Sequence, residues 1–354
     1  MFAGWHESVT VAMNRKSGAS FRTPPLLTTM ACMVFVASAP NPAKADIGGM
    51  SFWLPGLMGS LAAVPGQPGW GLANIYIHLD TGARGGKEFQ NSGSVVSGLH
   101  ARADALAIAP SYTFATPVLG GQAAVSLIGV PLSVGVNIDA TLTGPRGNQI
   151  SGHASDRRAG FADLFYEATL KWNHGVDNFM VYVTGNIPNG TFDATRLANL
   201  SLGYTAVDGG IGYTYFDTKT GREFSIVGGV TYNTINPDLQ YQNGIDFHID
   251  WAASQFLSKD TLVGLAGYFF QQVTGDSGAG AKLGPFTGRV LGIGPQIGFI
   301  FPAGEGYQGY LNVKGYKDFA TENRPEGWTA WVTLAFSPTE EKKPTEPMRP
   351  RVVK

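Results

Sequence analysis

Two short runs in the sequence alternate acidic, basic and imidazole side chains, so that a β-strand would place each run on one face. These runs are Asp246, His248 and Asp250, and His100, Arg102 and Asp104. Carboxylates beside an imidazole can bind a divalent metal ion. They can also form a hydrogen-bond network inside a confined aqueous space, and we expect this outcome, with Arg102, Arg222 or Arg289 as a partner.

Catalytic chemistry is not predicted from the other candidate residues. A lipid hydrolase built on a β-barrel needs a serine nucleophile beside a histidine base, and none of the six histidines lies in a recognisable serine–histidine pattern. His153, Asp156, Arg157 and Arg158 offer a metal or phosphate contact, but a solvated loop explains this cluster better. We therefore predict no catalytic residue, no metal site and no cofactor.

The composition argues against nucleic-acid binding and is unusual for a soluble enzyme. Charged residues make up 14% of the chain, whereas ordinary soluble domains contain about 25%. The net charge is −1 and no lysine or arginine cluster alternates with aromatic residues, so we predict no nucleic-acid partner. The 48 glycines and the aromatic content of 12% are typical of strands and turns.

The segments that carry the ionisable residues alternate polar and apolar side chains with a period of two, which predicts β-strands. Such segments are residues 73–80, 98–106, 223–233 and 245–251. In the second of them, His100, Arg102 and Asp104 oppose a leucine and three alanines. Because the polar faces carry few charges, we expect them, with His78 and His248, to face an enclosed lumen. A soluble β-sandwich, with its polar faces toward water, is the alternative.

The pattern as a whole predicts a transmembrane antiparallel β-barrel of about 12 strands (range 10–14) over residues 71–336. No later segment contains the run of about 18 apolar residues that a membrane-spanning helix needs. Short and long connections alternate, as periplasmic turns and outer loops do. The last predicted strand ends on Phe336 and resembles the carboxy-terminal signal of outer-membrane barrels, whereas the charged, proline-rich tail 337–354 is predicted to be disordered.

The amino terminus predicts export from a Gram-negative cytoplasm to the outer membrane. Residues 1–45 contain a positive region, a short apolar region at 26–37 and the small-x-small cleavage pattern that ends at Ala45. Met13 is an alternative start, because a signal of more ordinary length begins there. Cys32 faintly suggests a lipoprotein site, but apolar residues continue beyond it, and cleavage after Ala45 would leave no cysteine in the mature chain.

Residues 46–70 do not read as a strand, and we expect them to form an irregular plug in the lumen. The stretch SFWLPG at 51–56, followed by AVPGQPGW at 63–70, resembles the amino-terminal region of proteins in the MetA-pathway of phenol degradation family. This resemblance implies an outer-membrane transporter for aromatic or other hydrophobic molecules. The predicted substrate path and constriction consist of Phe52, Trp53, Leu54, Trp70, His100, Arg102, Asp104, Asp246, His248 and Asp250.

The function predicted from the sequence is therefore an outer-membrane channel or transporter, not an enzyme. Its expected partners are outer-membrane lipid and lipopolysaccharide, the barrel-assembly machinery and a small-molecule solute. Two alternatives remain open at this point: a barrel-embedded lipid hydrolase, and a structural or adhesive barrel that transports nothing. An inward cluster of Arg102, Asp104, Asp246 and His248 that seals the interior would favour the last of these.

Overall fold

A computed structural model describes residues 51–82, 88–91, 94–143, 149–281, 284–285 and 287–339. The predicted signal segment 1–45, the first five residues of the predicted plug and all but the start of the carboxy-terminal tail lie outside these described residues. Within the described part of the chain, no helix has the length and apolar character needed to cross a membrane.

The described chain is built from antiparallel β-strands. Their bounds are β1 (Gly69–Gly82), β2 (Glu88–Asn91), β3 (Ser94–Ser97), β4 (Leu99–Thr113), β5 (Gln122–Ile128), β6 (Pro131–Thr143), β7 (Gln149–Phe161), β8 (Leu164–His174), β9 (Asp177–Ile187), β10 (Ala206–Asp217), β11 (Arg222–Asn233), β12 (Asp246–Phe256), β13 (Thr261–Gln272), β14 (Arg289–Pro302), β15 (Tyr307–Glu322) and β16 (Glu326–Pro338). All but β2 and β3 belong to one sheet, and those two form a separate hairpin.

The sheet closes into a barrel because β1 pairs with both β16 and β4. Strands β5 and β6 are two parts of one barrel strand, interrupted at residues 129–130, and β7 and β8 are likewise interrupted at residues 162–163. β5 pairs with β8, and β6 pairs with β7. Counted in this way, the barrel has twelve strands, which confirms the sequence prediction.

The two ends of the barrel differ in the length of their connections. At one end the turns are short, at residues 175–176, 218–221, 257–260 and 303–306, and β1 begins and β16 ends here as well. At the other end the connections are long, for example residues 188–205, 234–245 and 273–288. In outer-membrane barrels the short turns face the periplasm and the long loops face outward, so we name the two ends accordingly.

Large apolar side chains point outward around the barrel, as lipid contact requires. Exposed examples are Val181, Val183, Val207, Ile211, Leu265, Ile293, Ile297, Val313 and Val332. Near the periplasmic end, Trp70 contacts Tyr112 at a ring distance of 5.2 Å, and Phe179 contacts Tyr213 at 5.5 Å. Such a belt, with aromatic residues at its border, is typical of a membrane barrel and would make a soluble β-sandwich aggregate.

The inner wall has a polar half and an apolar half. Strands β9 to β12 turn polar side chains inward, and these include the buried residues Thr184, Asp208, Thr231, Asp246, His248 and Asp250. Strands β1, β4 and β6 instead turn apolar side chains inward, with Ile77, Leu99 and Val134 among those that are buried. The expected lumen position of the polar face is therefore right for residues 245–251 and wrong for residues 73–80 and 98–106.

Candidate functional site

Residues 51–68, which we call the lumen segment, run through the interior of the barrel before β1 begins. Their hydrogen-bond partners lie on β10, β11, β12 and β15. Trp53 in addition packs on Tyr182 of β9 at a ring distance of 5.8 Å. These strands curve around one side of the barrel, so a segment that contacts all of them on their inward faces lies inside it.

The turn at Gly56 is fixed by two charged side chains of opposite sign. Asp250 accepts hydrogen bonds from the backbone N–H groups of Gly56 and Met58, both at 2.9 Å. Lys314 donates to the carbonyl oxygen of Gly56 at 2.6 Å. Gly56 has a φ of +86°, and a Cβ atom there would lie 2.7 Å from the ring of Tyr316, so glycine is required at this position for two reasons.

A second carboxylate holds the next turn of the lumen segment. Glu223 accepts hydrogen bonds from the backbone N–H of Leu61 at 3.0 Å and from the hydroxyl of Ser60 at 2.9 Å. Thr214 accepts the backbone N–H of Ala63 at 3.0 Å. The irregular backbone of the lumen segment needs such partners, because it has no strand neighbour to satisfy its polar groups. This need explains why the segment lies against the polar half of the wall.

Trp53 anchors the start of the described lumen segment. Its indole is 1% exposed and stacks on the imidazole of His248, with ring centroids 3.8 Å apart. His248 in turn hydrogen-bonds to Asp208 at 2.9 Å, and Asp208 also accepts hydrogen bonds from Tyr182 at 2.8 Å and Thr231 at 2.5 Å. The imidazole is therefore held by three strands and forms a rigid platform for the tryptophan.

The lumen segment covers only part of the apolar half of the wall, with Leu54 and Leu57 packed near Ile77, and a cavity of about 280 Å³ lies between the two. Its lining includes Phe52, Trp53, Leu54 and Leu57 from the lumen segment, and Ile77, Leu99, Ala101, Ala105, Ile128, Leu132, Val134, Val136 and Phe165 from the wall. Phe52 and Phe165 approach each other across it, at a ring distance of 5.9 Å. A mainly apolar cavity of this size suits a small apolar molecule.

The long outer loop 188–205 lies over the outer side of the cavity and contributes to its lining. Leu197 and Leu200 pack on the inward apolar residues of β4 and β6. Arg196 forms an ion pair with Asp156 of β7, and this hydrogen bond raises the pKa of the arginine side chain. The backbone N–H of Ala198 also donates to Asp156, at 3.0 Å. Asp156 thus holds the loop in place.

The structure places the predicted site residues in two different environments. Phe52, Trp53 and Leu54 line the cavity, and Asp246, His248 and Asp250 are buried in the lumen. Their contribution to a substrate path stays a prediction.

The remaining four predicted site residues lie on the outer face of the barrel. Arg102 is exposed and pairs with Asp80, which also contacts His100 at 3.0 Å, while Asp104 pairs with His78. Trp70 is 63% exposed. The lumen positions predicted for these residues were therefore wrong, and the inward sealing cluster of Arg102 and Asp104 with Asp246 and His248 does not form.

The predicted arginine partners of His248 are also absent from its surroundings. Arg102 lies outside, and Arg289 pairs with Glu322. His248 instead interacts with Asp208, Tyr182 and Trp53. Among the described residues, no group of three or more histidine, cysteine, aspartate or glutamate side chains is arranged to hold a metal ion.

Sequence reasoning missed the anchors of the lumen segment and the apolar wall. Lys314 and Glu223 act on residues more than 160 positions away, so no local pattern could assign them. The apolar wall did leave a signal. Strand β4 carries five alanines at alternate positions from 101 to 109, whereas lipid-facing positions in the membrane favour larger side chains. Small residues on one face indicate that something packs against them or that space is kept free there.

One solved structure shares this overall fold. The COG4313 outer membrane channel from Pseudomonas putida F1 is 14% identical and has a TM-score of 0.53, with 77% of this chain and 96% of that chain covered. A Pseudomonas aeruginosa FadL homologue is 8% identical, with a TM-score of 0.40 over 76% of this chain and 89% of that one. No curated protein matched the sequence.

A match to a family model assigns the chain to a protein family, which structural similarity at these sequence identities cannot do. The model described as "Putative MetA-pathway of phenol degradation" matches residues 85–334, which is more than two thirds of the chain. The match begins just beyond β1 and ends within β16, and so includes nearly the whole barrel. The chain is a twelve-stranded barrel of the outer membrane and belongs to this family.

Proposed function

We propose that this protein carries small apolar molecules, including single-ring aromatic compounds, across the outer membrane, with the cavity on the apolar half of the wall as the binding site. The observation that carries this proposal is the cavity itself: about 280 Å³ of space inside the lumen, lined mainly by aromatic and aliphatic side chains. A pore for hydrophilic solutes would turn polar groups toward such space. The family description points toward aromatic compounds as well.

The lumen segment argues against free diffusion of ions and sugars. Its backbone is fixed by Asp250, Glu223 and Lys314, three ionisable groups of the wall. Hydrogen bonds to charged groups each contribute about 1.5–3 kcal/mol, so the segment stays in the lumen unless something displaces it. Transport of an apolar molecule then uses the space beside the segment and does not require its removal.

We propose further that the protein acts as a channel and not as an enzyme. The hydrogen bonds of His78, His100 and His153 are made to aspartates on the outer face. His248 binds Asp208 and Tyr182 in the lumen. Within the described part of the chain, none of these imidazoles hydrogen-bonds to a serine hydroxyl, as a hydrolase of this kind would require.

Two partners predicted from the sequence also belong to this proposal. Arg102 and His100 lie on the outer face close to the long-loop end, where lipopolysaccharide sugars and phosphates would meet them. The outward side chains of β16 from Trp328 to Phe336 form the apolar row that we expect the barrel-assembly machinery to recognise.

Uptake in a porin-deficient Gram-negative host tests the proposed function. Cells that express the protein are expected to accumulate radiolabelled toluene and phenol several-fold faster than cells with an empty vector, while the uptake of a labelled pentose stays unchanged. Faster uptake of the pentose without faster uptake of the aromatic compounds would contradict the proposal. Heat-modifiable migration of the barrel on gels serves as the control for folding.

A further inference from the structure

Glu167 stands out among the carboxylates of the lumen because it has no hydrogen-bond partner in the described part of the protein. Asp250 and Glu223 accept backbone N–H groups of the lumen segment. Asp208 binds a tyrosine, a threonine and a histidine, and Asp163 accepts hydrogen bonds from Asn186, Gly190 and Leu202. Glu167, in contrast, forms no hydrogen bond and no ion pair with any described residue.

The position of Glu167 is equally particular, because it lines two cavities. One is the apolar cavity described above. The other is a cavity of about 230 Å³ toward the periplasmic end, lined by Ser111, Thr113, Gln122, Ser126, Thr169 and Lys171 among others. Phe165 and Glu167 are successive residues on the inward face of β8, so this face changes there from apolar to acidic. Glu167 therefore marks the border between apolar and polar space.

A free carboxylate at the end of an apolar cavity favours a particular kind of ligand. Apolar neighbours reduce the number of water molecules that can hydrogen-bond to the carboxylate. A hydrogen-bond donor or a positive charge on a bound molecule would replace the stabilisation that water no longer provides. Lys171 lies on the same face four residues further along, where its ammonium group attracts the carboxylate of Glu167 without forming an ion pair within 4 Å. It leaves Glu167 open to a ligand and adds a positive charge on the periplasmic side.

We propose that Glu167 is the head-group subsite of the cavity, and that it selects apolar molecules ending in a protonated amine over those ending in a carboxylate. The hydrophobic body lies between Phe52, Phe165 and the alanines of β4, and the ammonium group donates to the Glu167 carboxylate. A neutral hydroxyl binds with intermediate strength. The inference rests on the proposed function, because it assigns the selectivity of the same cavity.

Three ligands that share one ring test this subsite at pH 7: benzylamine, benzyl alcohol and benzoate. Their dissociation constants are measured by ligand-observed saturation-transfer NMR with the purified barrel in nanodiscs, against empty nanodiscs as the blank. We expect benzylamine to bind at least tenfold more tightly than benzoate, with benzyl alcohol in between. E167Q should reduce this difference to less than threefold, mainly by weakening benzylamine, and E167D should retain the preference.

Lys171→Gln is the matched control, because it removes a charge from the polar cavity without touching the apolar one. Because Lys171 also attracts the carboxylate of Glu167, its replacement should leave the binding of benzylamine as tight as in the wild type or tighter. If benzyl alcohol binds but benzoate binds as tightly as benzylamine, or if E167Q keeps the full preference, the subsite is refuted while the cavity stands. If none of the three ligands binds above the blank, the proposed function itself fails.

Discussion

The attachment of the lumen segment to Asp250 can be tested by one substitution that hardly changes the shape of the side chain. In Asp250→Asn, one of the two oxygens that accept the N–H groups of Gly56 and Met58 becomes an amino group. One of the two backbone N–H groups then faces another donor. The remaining hydrogen bond becomes weaker because its acceptor is no longer negatively charged. Hydrogen bonds to charged groups contribute about 1.5–3 kcal/mol, so we expect a loss of about 2 kcal/mol.

A loss of about 2 kcal/mol corresponds to a roughly 30-fold larger population of the displaced lumen segment. Because the displaced segment opens the lumen to ions, the readout is the fraction of time spent conducting in single-channel recordings in planar bilayers. Asp80→Asn is the matched control: Asp80 holds Arg102 and His100 on the outer face and does not touch the segment. An Asp250→Asn channel that conducts no more often than wild type and this control would refute the reasoning.

Three further predictions follow from the same geometry. Gly56→Ala strains a residue with φ of +86° and places a methyl group against the ring of Tyr316. This strain should destabilise the attached lumen segment by about 1 kcal/mol or more. Bilayer recordings should therefore show a conducting fraction at least fivefold higher, and an unchanged fraction would contradict the tight turn. Ala105→Phe fills part of the apolar cavity, so the dissociation constant for toluene measured by NMR should rise at least tenfold, and an unchanged affinity would place the ligand elsewhere. Asp208→Ala leaves the hydrogen-bond partners of a buried carboxylate unsatisfied, among them the hydroxyl of Tyr182. The temperature at which the barrel unfolds, measured on heated gels, should fall by several degrees. An unchanged unfolding temperature would show that the network adds no stability.

The sequence predicted the barrel well because the membrane constrains both faces of a strand. On β12, Asp246, His248 and Asp250 alternate with apolar residues, and carboxylates in the middle of a strand are too costly to face lipid. Their inward position was therefore predictable. The apolar row that ends at Phe336 was predictable for the same reason, and it does point outward, because Leu72 of β1 pairs with it on an exposed face.

The expectation that polar side chains face the lumen was wrong on β1 and β4, because it assumes that every part of a strand lies within the membrane. Asp80 pairs with Trp328 in the register, and a tryptophan on the outer face is typical of the membrane border. From this level outward, polar groups such as Arg102 can face water, and apolar groups can face the lumen. The row of alanines on β4 was the available signal, since it leaves room for a ligand and offers little contact area to lipid.

The arrangement inside the lumen could not be predicted from local patterns. Lys314 binds the carbonyl oxygen of Gly56 across a sequence separation of 258 residues, and this contact depends on the path of the lumen segment and on the register of every strand between them. Glu167 reads in the sequence as one polar residue on an alternating strand. Only the three-dimensional structure places it, without a hydrogen-bond partner, at the border of two cavities.

The central claim, an apolar binding site beside a lumen segment that stays in place, is tested most directly by a crystal structure of the barrel soaked with 4-bromotoluene. Anomalous scattering from bromine locates the ligand without assumptions about its contacts. We expect one peak between Phe52, Phe165 and the inward face of β4, with Trp53 still stacked on His248. Bromine peaks confined to the outer lipid-facing surface, or a peak in the lumen only after the segment has left it, would contradict the account.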